Sequence, residues 1–198
     1  LTTHYVTTAL EAASRLTNRQ RSSRRNPSER RVAVTVHERG AGETCRAILD
    51  TLPAWFGIPA ANEGYIATAE AARTLVATID GKAVGLLVPI RHTDSAAEIH
   101  LLAVAAQHRR GGIGRALVEE VQQLLRAEGV AVLSVKTLSA RRRDDGYEET
   151  RAFYRSVGFF HFEEHPTLWG ADDPALQMVK LLAGQPDESH VSLTHTCD

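Results

Sequence analysis

A strand, a glycine-rich loop and an amphipathic helix follow one another directly between residues 98 and 128. The segment EIHLLAV (98–104) has the apolar, β-branched character of a strand, and QHRRGGIGRA (107–116) follows it. Glycine is costly inside a helix, yet here several glycines and two arginines precede a helical pattern. Apolar residues recur at helical spacing after the loop: Ile113, Leu117, Val121, Leu124 and Leu125. The unit constrains the fold to a sheet with a packed helix, and an anionic ligand would offset the glycine cost.

The glycine loop does not match the two best-known phosphate motifs. A dinucleotide fingerprint needs a third glycine where Leu117 stands, and a P-loop needs a lysine that is absent. The spacing Arg-x-x-Gly-x-Gly is met by Arg109, Gly112 and Gly114. Successive glycines let backbone N–H groups turn toward an anion, and a helix N-terminus adds partial positive charge. The pattern predicts a diphosphate site; a plain glycine-rich turn with surface arginines is the alternative.

Six further strands and three further helices are predicted around this unit. Asp80-Gly81 is a strong tight-hairpin signal inside the segment 74–90. The other predicted strands are 31–38, 130–137, 159–164 and 175–182. The other predicted helices are 61–72, 149–157 and the segment 43–56 as far as Pro53. We therefore predict an α/β fold with a mixed central sheet of about seven strands flanked by helices.

Composition restricts the partners. The chain has 198 residues, which is enough for one domain. Its net charge of −1 does not indicate a nucleic-acid partner. No apolar run reaches membrane length, and the two cysteines have no CxxC spacing, so we expect a reducing, cytoplasmic setting. We predict an Arg/Ser-rich tail or linker at 1–30, a domain at 31–183 and a polar tail at 184–198. A nucleic-acid-binding arm or a targeting peptide at 19–31 is the minority interpretation.

Two longer stretches carry a family resemblance. AEIHLLAVAAQHRRGGIGRALVEEVQQLL (97–125) and TRAFYRSVGF (150–159) resemble the acetyl-CoA motif and the Phe-Tyr…Gly-Phe helix of the GNAT superfamily of N-acetyltransferases. The resemblance runs from about residue 32 to 182. It implies a sheet splayed at an acetyl-CoA slot, with acetyl-CoA as co-substrate. LPAWFGIP and HPTLWG are similar to a bacterial subgroup that acts on small molecules.

The resemblance also implies which residues bind the co-substrate. The backbone of Leu102, Ala103 and Val104 would pair with the pantetheine amides. The diphosphate would be wrapped by Arg109, Arg110, Gly111, Gly112, Ile113, Gly114 and Arg115. Tyr147 stands where the family often has an asparagine, so an amide contact of the family is missing here.

Acetyl transfer to an amine needs a base for the ammonium and a proton or hydrogen bond for the departing thiolate. Glu98 matches a position used as base in the family, and His100, two residues on, would share its strand face, so either could accept the proton, directly or through water. Tyr154 matches the family's general acid. Trp55 and Phe56 lie between prolines and either wall the acceptor pocket, together with His100, or pack under the sheet.

The segment HFEEH (161–165) satisfies H-x-x-E-H, a zinc-protease signature that requires a helix. Aromatic residues, Gly158 and Pro166 around it favour a strand, so we predict no metal site. The sequence predicts an N-acetyltransferase that passes an acetyl group directly to a primary amine of a small molecule. Protein lysine or N-terminal acetylation and a non-catalytic acyl-CoA-binding module are the alternatives, and a homodimer is left open.

Overall fold

The computed structural model describes residues 32–170 and 172–182. The tails predicted at 1–30 and 184–198 therefore lie outside the described residues. Seven strands form a single sheet in the order β1-β2-β3-β4-β5-β7-β6. The strands are β1 Ala33–His37, β2 Thr74–Ile79, β3 Lys82–Arg91, β4 Ala96–Val104, β5 Val132–Leu138, β6 Phe160–His165 and β7 Ala175–Leu181. The helices are α1 Gly42–Leu49, α2 Pro59–Ala71, α3 Ile113–Ala127 and α4 Asp145–Ser156, with a short 3₁₀ turn at Ala106–His108.

The predicted mixed sheet is confirmed. The β4–β5 pair is parallel, with α3 as its crossover, and the other neighbouring pairs are antiparallel. The β2–β3 hairpin turns at Asp80 and Gly81, whose φ angles of 50° and 76° are the left-handed values that a tight hairpin requires.

Apolar side chains cover both faces of the sheet. One core joins the sheet to α3 and α4 and includes Leu117, Val121 and Tyr154. The other joins the opposite face to α1 and α2 and includes Cys45 and Leu49. Burial of apolar area on both sides is what makes the sheet the rigid support of everything below.

Two helices differ from their predicted bounds. Helix α1 ends at Leu49 with Asp50 as its C-cap, a few residues before the predicted end at Pro53. Helix α4 begins at Asp145, four residues earlier than predicted. The Asp144 side chain accepts a hydrogen bond from the Tyr147 backbone N–H (3.1 Å) and caps the helix. The loop after β5 is correspondingly shorter than the sequence indicated.

The sheet opens in its middle. Strands β4 and β5 pair from Ala96↔Val132 to Ile99↔Val135 and then separate. Beyond that point β4 continues against β3 alone and β5 against β7 alone. The separation leaves a slot, bounded by residues 100–104 of β4 and 136–138 of β5. The predicted splay is therefore present.

Among the described residues, no helix is both long and apolar enough to cross a membrane.

Candidate active site

The glycine loop, residues 109–115, presents free backbone donors at the open end of the slot. Gly112 is the N-cap of α3 with φ +80°, and Arg110 also has a positive φ of 61°. No side chain caps the helix. Within the described residues, none of the six consecutive backbone N–H groups of residues 110–115 has a hydrogen-bond acceptor. Free N–H groups at a helix N-terminus form an anion site, because the donors converge and the helix dipole adds positive potential.

The glycines of this loop serve different purposes. A Cβ on Gly112 would meet nothing within 4 Å, so glycine is needed there for the left-handed backbone. A Cβ on Gly114 would lie 3.2 Å from the Phe153 ring, so this glycine lets α3 and α4 approach each other. The sequence predicts that both glycines serve the anion site, and in the structure Gly114 has a packing role.

The arginines of the loop contact protein groups. The Arg109 guanidinium lies 4.1 Å above the centre of the Trp55 ring. Arg109 and Arg110 both donate to Glu149, at 3.3 and 2.6 Å. Arg115 reaches instead toward Ser156 near the end of α4 (3.3 Å to its carbonyl oxygen). Arg109 and Arg110 therefore supply mobile positive charge beside the free N–H groups.

A β-bulge at His100 shapes β4 at the apex of the slot. Pro89 pairs with Ile99 and Val88 with Leu101, so His100 has no partner on β3 in the register. Leu102, Ala103 and Val104 then pair with Leu87, Leu86 and Gly85 on β3 and with nothing on the β5 side. Their alternate backbone groups are thus available to a ligand in the slot, which is what the predicted pantetheine contacts require.

Glu98 lies just before the apex, in an ion-paired cluster. Its Oε2 accepts hydrogen bonds from Lys136 Nζ (2.6 Å) and His92 Nε2 (2.9 Å), and its side chain is only 12% exposed. Burial by itself raises the pKa of Glu98, but the hydrogen bonds from Lys136 and His92 outweigh it and hold the pKa below its ordinary value. Glu98 is therefore a stable carboxylate and a weak proton acceptor.

His100 lies on the same side of the sheet as Glu98 and is half-buried. Its ring centre is 5.4 Å from that of Tyr65 on α2, and Tyr65 in turn meets the Phe56 ring at 5.9 Å. Burial lowers the pKa of His100, and the nearby Glu98 only partly opposes this shift. A neutral imidazole at neutral pH is the form that can accept a proton.

Tyr154 lies on the other face of the sheet. It is buried in the α3/α4 core between the rings of Phe153 and Phe159, with ring centres 5.2 and 5.5 Å away. Burial raises the pKa of Tyr154 far above its ordinary value, so the phenol keeps its proton. Within the described residues its hydroxyl makes no hydrogen bond. The predicted base and acid thus lie on opposite faces of the opened sheet.

Trp55 and Phe56 pack against the α1/α2 core and also face the site. Phe56 contributes to the aromatic row that ends at His100. Trp55 lies farther out, where its ring meets both Arg109 of the glycine loop and Gly146 in the first turn of α4. The packing of both residues is therefore observed, and their role as a wall of the acceptor pocket stays a prediction.

The fold brings to this site several residues that were not predicted as site residues. Lys136 and His92 bind Glu98, and Tyr65 and Tyr147 line the same side; burial raises the pKa of both tyrosines. Lys136 carried a signal, because it is a lone charge in the apolar strand segment VAVLSVKT of a chain with three lysines. Nothing in the sequence near His92 or Tyr65 marks them.

The HFEEH segment (161–165) lies in strand β6 and ends with the last residue of that strand, His165. In the ranges that the structure describes, no group of three or more His, Cys, Asp or Glu side chains is arranged to hold a metal ion.

Residues 70–160, which carry the hairpin, the glycine loop, the slot and Tyr154, match the sequence profile of the Acetyltransferase (GNAT) domain. This part of the chain is therefore similar to a GNAT acetyltransferase domain. The chain is also 39% identical over 89 residues to an uncharacterised N-acetyltransferase of Chlorobaculum tepidum, a match that covers 45% of this chain and 50% of that protein. The chain thus spans about half the length of that curated relative.

Solved structures share the GNAT fold across most of the described chain. A protein assigned to the GNAT family from Desulfovibrio desulfuricans has a TM-score of 0.68, with 21% identity and coverage of 77% of this chain and 100% of that one. The ribosomal-protein-S18-alanine N-acetyltransferase of Escherichia coli has a TM-score of 0.64, with 20% identity and coverage of 80% and 98%. An aminoglycoside 6′-N-acetyltransferase complexed with coenzyme A has a TM-score of 0.63, with 19% identity and coverage of 78% and 99%. At these identities the likeness shows the fold.

Proposed function

We propose that this chain is an N-acetyltransferase that transfers an acetyl group from acetyl-CoA to a primary amine of a small molecule. The observation that carries the proposal is the run of six unpartnered backbone N–H groups at residues 110–115, placed at the open end of a slot between two separated strands. A diphosphate fits the donors, and an extended chain of amides fits the strand edge. The residues present therefore suit coenzyme A.

In the proposed complex, Arg109 and Arg110 leave Glu149 and bind the diphosphate together with the N–H groups of the glycine loop. The backbone of Leu102, Ala103 and Val104 binds the pantetheine arm. Arg115 is directed toward Ser156, so it adds to the local potential more than to a direct contact. Acetyl-CoA supplies the activated acetyl group, and both substrates bind together without a covalent enzyme intermediate.

We propose His100 as the residue that accepts the proton of the acceptor ammonium. Its lowered pKa keeps it neutral at physiological pH, whereas Lys136 and His92 already occupy the carboxylate of Glu98. Glu98 would then serve as the negative charge that attracts the ammonium to His100. The sequence-based assignment of Glu98 as the base stays a prediction, and the experiment in the Discussion separates the two.

Tyr154 is the proposed proton donor to the departing sulfur. It lies on the face of the sheet opposite to His100, so the amine and the leaving group are handled from different sides. Burial raises its pKa, so the hydroxyl stays protonated and can donate a hydrogen bond to the sulfur as negative charge develops there.

The aromatic side chains support a small acceptor. Phe56, Tyr65 and His100 form one wall, and Trp55 bridges the glycine loop and α4. A bridge of this kind encloses a small molecule more readily than it admits a folded protein. An aminoglycoside acetyltransferase and a ribosomal-protein acetyltransferase both share the fold, so the acceptor class has to be measured.

A cytoplasmic setting is part of the proposal. Cys45 is a buried free thiol in the α1/α2 core, and burial raises its pKa to about 11. A thiol of that kind is unreactive and suits a reducing compartment.

The test is release of free thiol from acetyl-CoA across a panel of small primary amines and lysine-containing or N-terminal peptides, together with calorimetry for coenzyme A. Turnover with a small amine and micromolar coenzyme A binding are expected. Turnover with peptides alone would replace the acceptor class. Coenzyme A binding without turnover on any amine would favour the non-catalytic module, and no binding would overturn the proposal.

A further inference from the structure

A buried hydroxyl group beside the slot has no hydrogen-bond partner. Within the described residues, two buried side-chain oxygens lack a partner, Asn62 Oδ1 and Thr137 Oγ1. Thr137 lies in β5, is 3% exposed, and belongs to the part of the strand that has separated from β4. Leaving a buried hydroxyl unpaired costs stability, and such groups in folded proteins usually have a partner or await one.

The opened sheet explains why Thr137 is unpaired. Where β4 and β5 are still together, Ser134 Oγ of β5 donates across the pair to the Ala97 carbonyl of β4 (3.4 Å). Hydroxyls elsewhere in the sheet also donate to a neighbouring strand, as Thr35 does to the Val76 carbonyl (3.4 Å). Thr137 lies two residues beyond the last β4–β5 pair, Ile99↔Val135, where β4 no longer offers a carbonyl.

The position of Thr137 along the slot indicates which part of a ligand it would meet. Continuing the parallel register beyond Ile99↔Val135 would place Thr137 level with Leu101, close to the apex of the slot. By strand alternation its side chain shares a face with Leu133 and Val135, which pack in the same core as Tyr154. The glycine loop is at the other, open end.

We propose that Thr137 is a binding residue for the thioester end of acyl-CoA. Its hydroxyl hydrogen-bonds the pantetheine arm of the ligand, because the separated β4 strand offers no carbonyl as an acceptor. This inference rests on the proposed function. It makes Thr137 a second hydroxyl beside Tyr154 at the reacting end of the co-substrate, on the face away from His100.

The experiment compares Thr137→Val with Thr74→Val. Valine has nearly the shape of threonine without the hydroxyl. Thr74 is also buried, but its hydroxyl donates to the carbonyls of Ala69 and Ala72, away from the slot. In the ligand-free protein, Thr137→Val should keep or raise the melting temperature, because no partner is lost, while Thr74→Val should lower it.

Coenzyme A affinity, measured by calorimetry, should depend on Thr137 and not on Thr74, whereas the melting temperature should depend on Thr74. Thr137→Val should weaken coenzyme A binding by roughly three- to tenfold, the loss of one hydrogen bond, and Thr74→Val should leave it unchanged. Thr137→Ser keeps a hydroxyl and should restore most of the affinity. Adenosine 3′,5′-bisphosphate, which lacks the arm, should bind the wild type and Thr137→Val equally.

Two results would overturn the inference: a coenzyme A affinity that Thr137→Val does not change, or a melting temperature that it lowers as much as Thr74→Val does. Failure of the wild type to bind coenzyme A would instead defeat the proposed function. The two failures are therefore distinguishable.

Discussion

Glu98 and His100 are two residues apart on β4, and their surroundings make Glu98 a weaker proton acceptor than His100. Glu98 is held as a carboxylate by Lys136 and His92, whereas His100 is half-buried and neutral. If His100 is the base, kcat/KM should rise as the pH passes upward through its pKa, which burial lowers from the ordinary value of histidine. His100→Gln should remove this acidic limb and lower kcat/KM by roughly 100-fold.

Glu98→Gln is the complementary variant. The charge of Glu98 raises the pKa of His100, while Lys136 lowers it. Loss of the carboxylate should therefore move the acidic limb to lower pH and keep it visible. If the limb disappears in Glu98→Gln and persists in His100→Gln, Glu98 is the base and the proposal for His100 is wrong. Circular dichroism and the melting temperature establish that both variants remain folded.

Tyr154→Phe tests the acid. The hydroxyl makes no hydrogen bond among the described residues, so its removal should leave the fold and the melting temperature nearly unchanged. Turnover should fall by roughly 100-fold for loss of a general acid. The affinity for coenzyme A should change little, because the contact matters most when charge develops on sulfur. An undiminished kcat of Tyr154→Phe, measured as release of free thiol from acetyl-CoA, would show that Tyr154 is not the proton donor.

At the scale of elements, the two ends of α3 offer a matched comparison. Gly112 precedes the helix and Gly129 follows it; both have φ +80°, and a Cβ on either would meet nothing within 4 Å. Gly112→Asp and Gly129→Asp should therefore cost similar backbone strain, about 1 kcal/mol each. Only the first places a carboxylate among the free N–H groups of the glycine loop.

The expected result is loss of detectable coenzyme A binding in Gly112→Asp and binding within about twofold of wild type in Gly129→Asp, since phosphate contacts are charge-assisted and a fixed carboxylate opposes them. Calorimetry measures both, and melting temperatures within a few degrees of each other confirm the match. Wild-type affinity in Gly112→Asp would mean that the diphosphate lies elsewhere.

The elements were largely predictable because their signals are local. Leu117 and Val121 recur at helical spacing, and Asp80-Gly81 suits a tight hairpin, so α3 and the β2–β3 pair appear as expected. Helix ends were less predictable. The early start of α4 depends on the Asp144 cap, and a second aspartate beside it left the capping position ambiguous in sequence.

At the scale of the whole molecule, the site depends on contacts between distant segments, and these contacts could not be predicted from local sequence patterns. Glu98 obtains its partners from β5 and from the turn before β4, through Lys136 and His92. The bulge at His100 exists only relative to β3, and the free hydroxyl of Thr137 exists only because β4 separates from β5. None of these follows from local periodicity. Only the family resemblance anticipated the opened sheet.

Coenzyme A should stabilise the whole domain and protect two particular places in it. Binding to the folded chain alone adds about 2.7 kcal/mol to the free energy of unfolding at a ligand concentration of 100 Kd, so every amide that exchanges through global unfolding should slow by a common factor.

The N–H groups of residues 110–115 have no acceptor within the described residues, and alternate N–H groups of residues 101–104 face the slot. Hydrogen exchange there should slow beyond the common factor, because the ligand supplies the missing acceptors. Strands β1 and β2, three and two positions away from β4 in the sheet, serve as the internal control and should follow the common factor alone. Local protection at the β6 edge with an unchanged glycine loop would contradict this placement of the co-substrate.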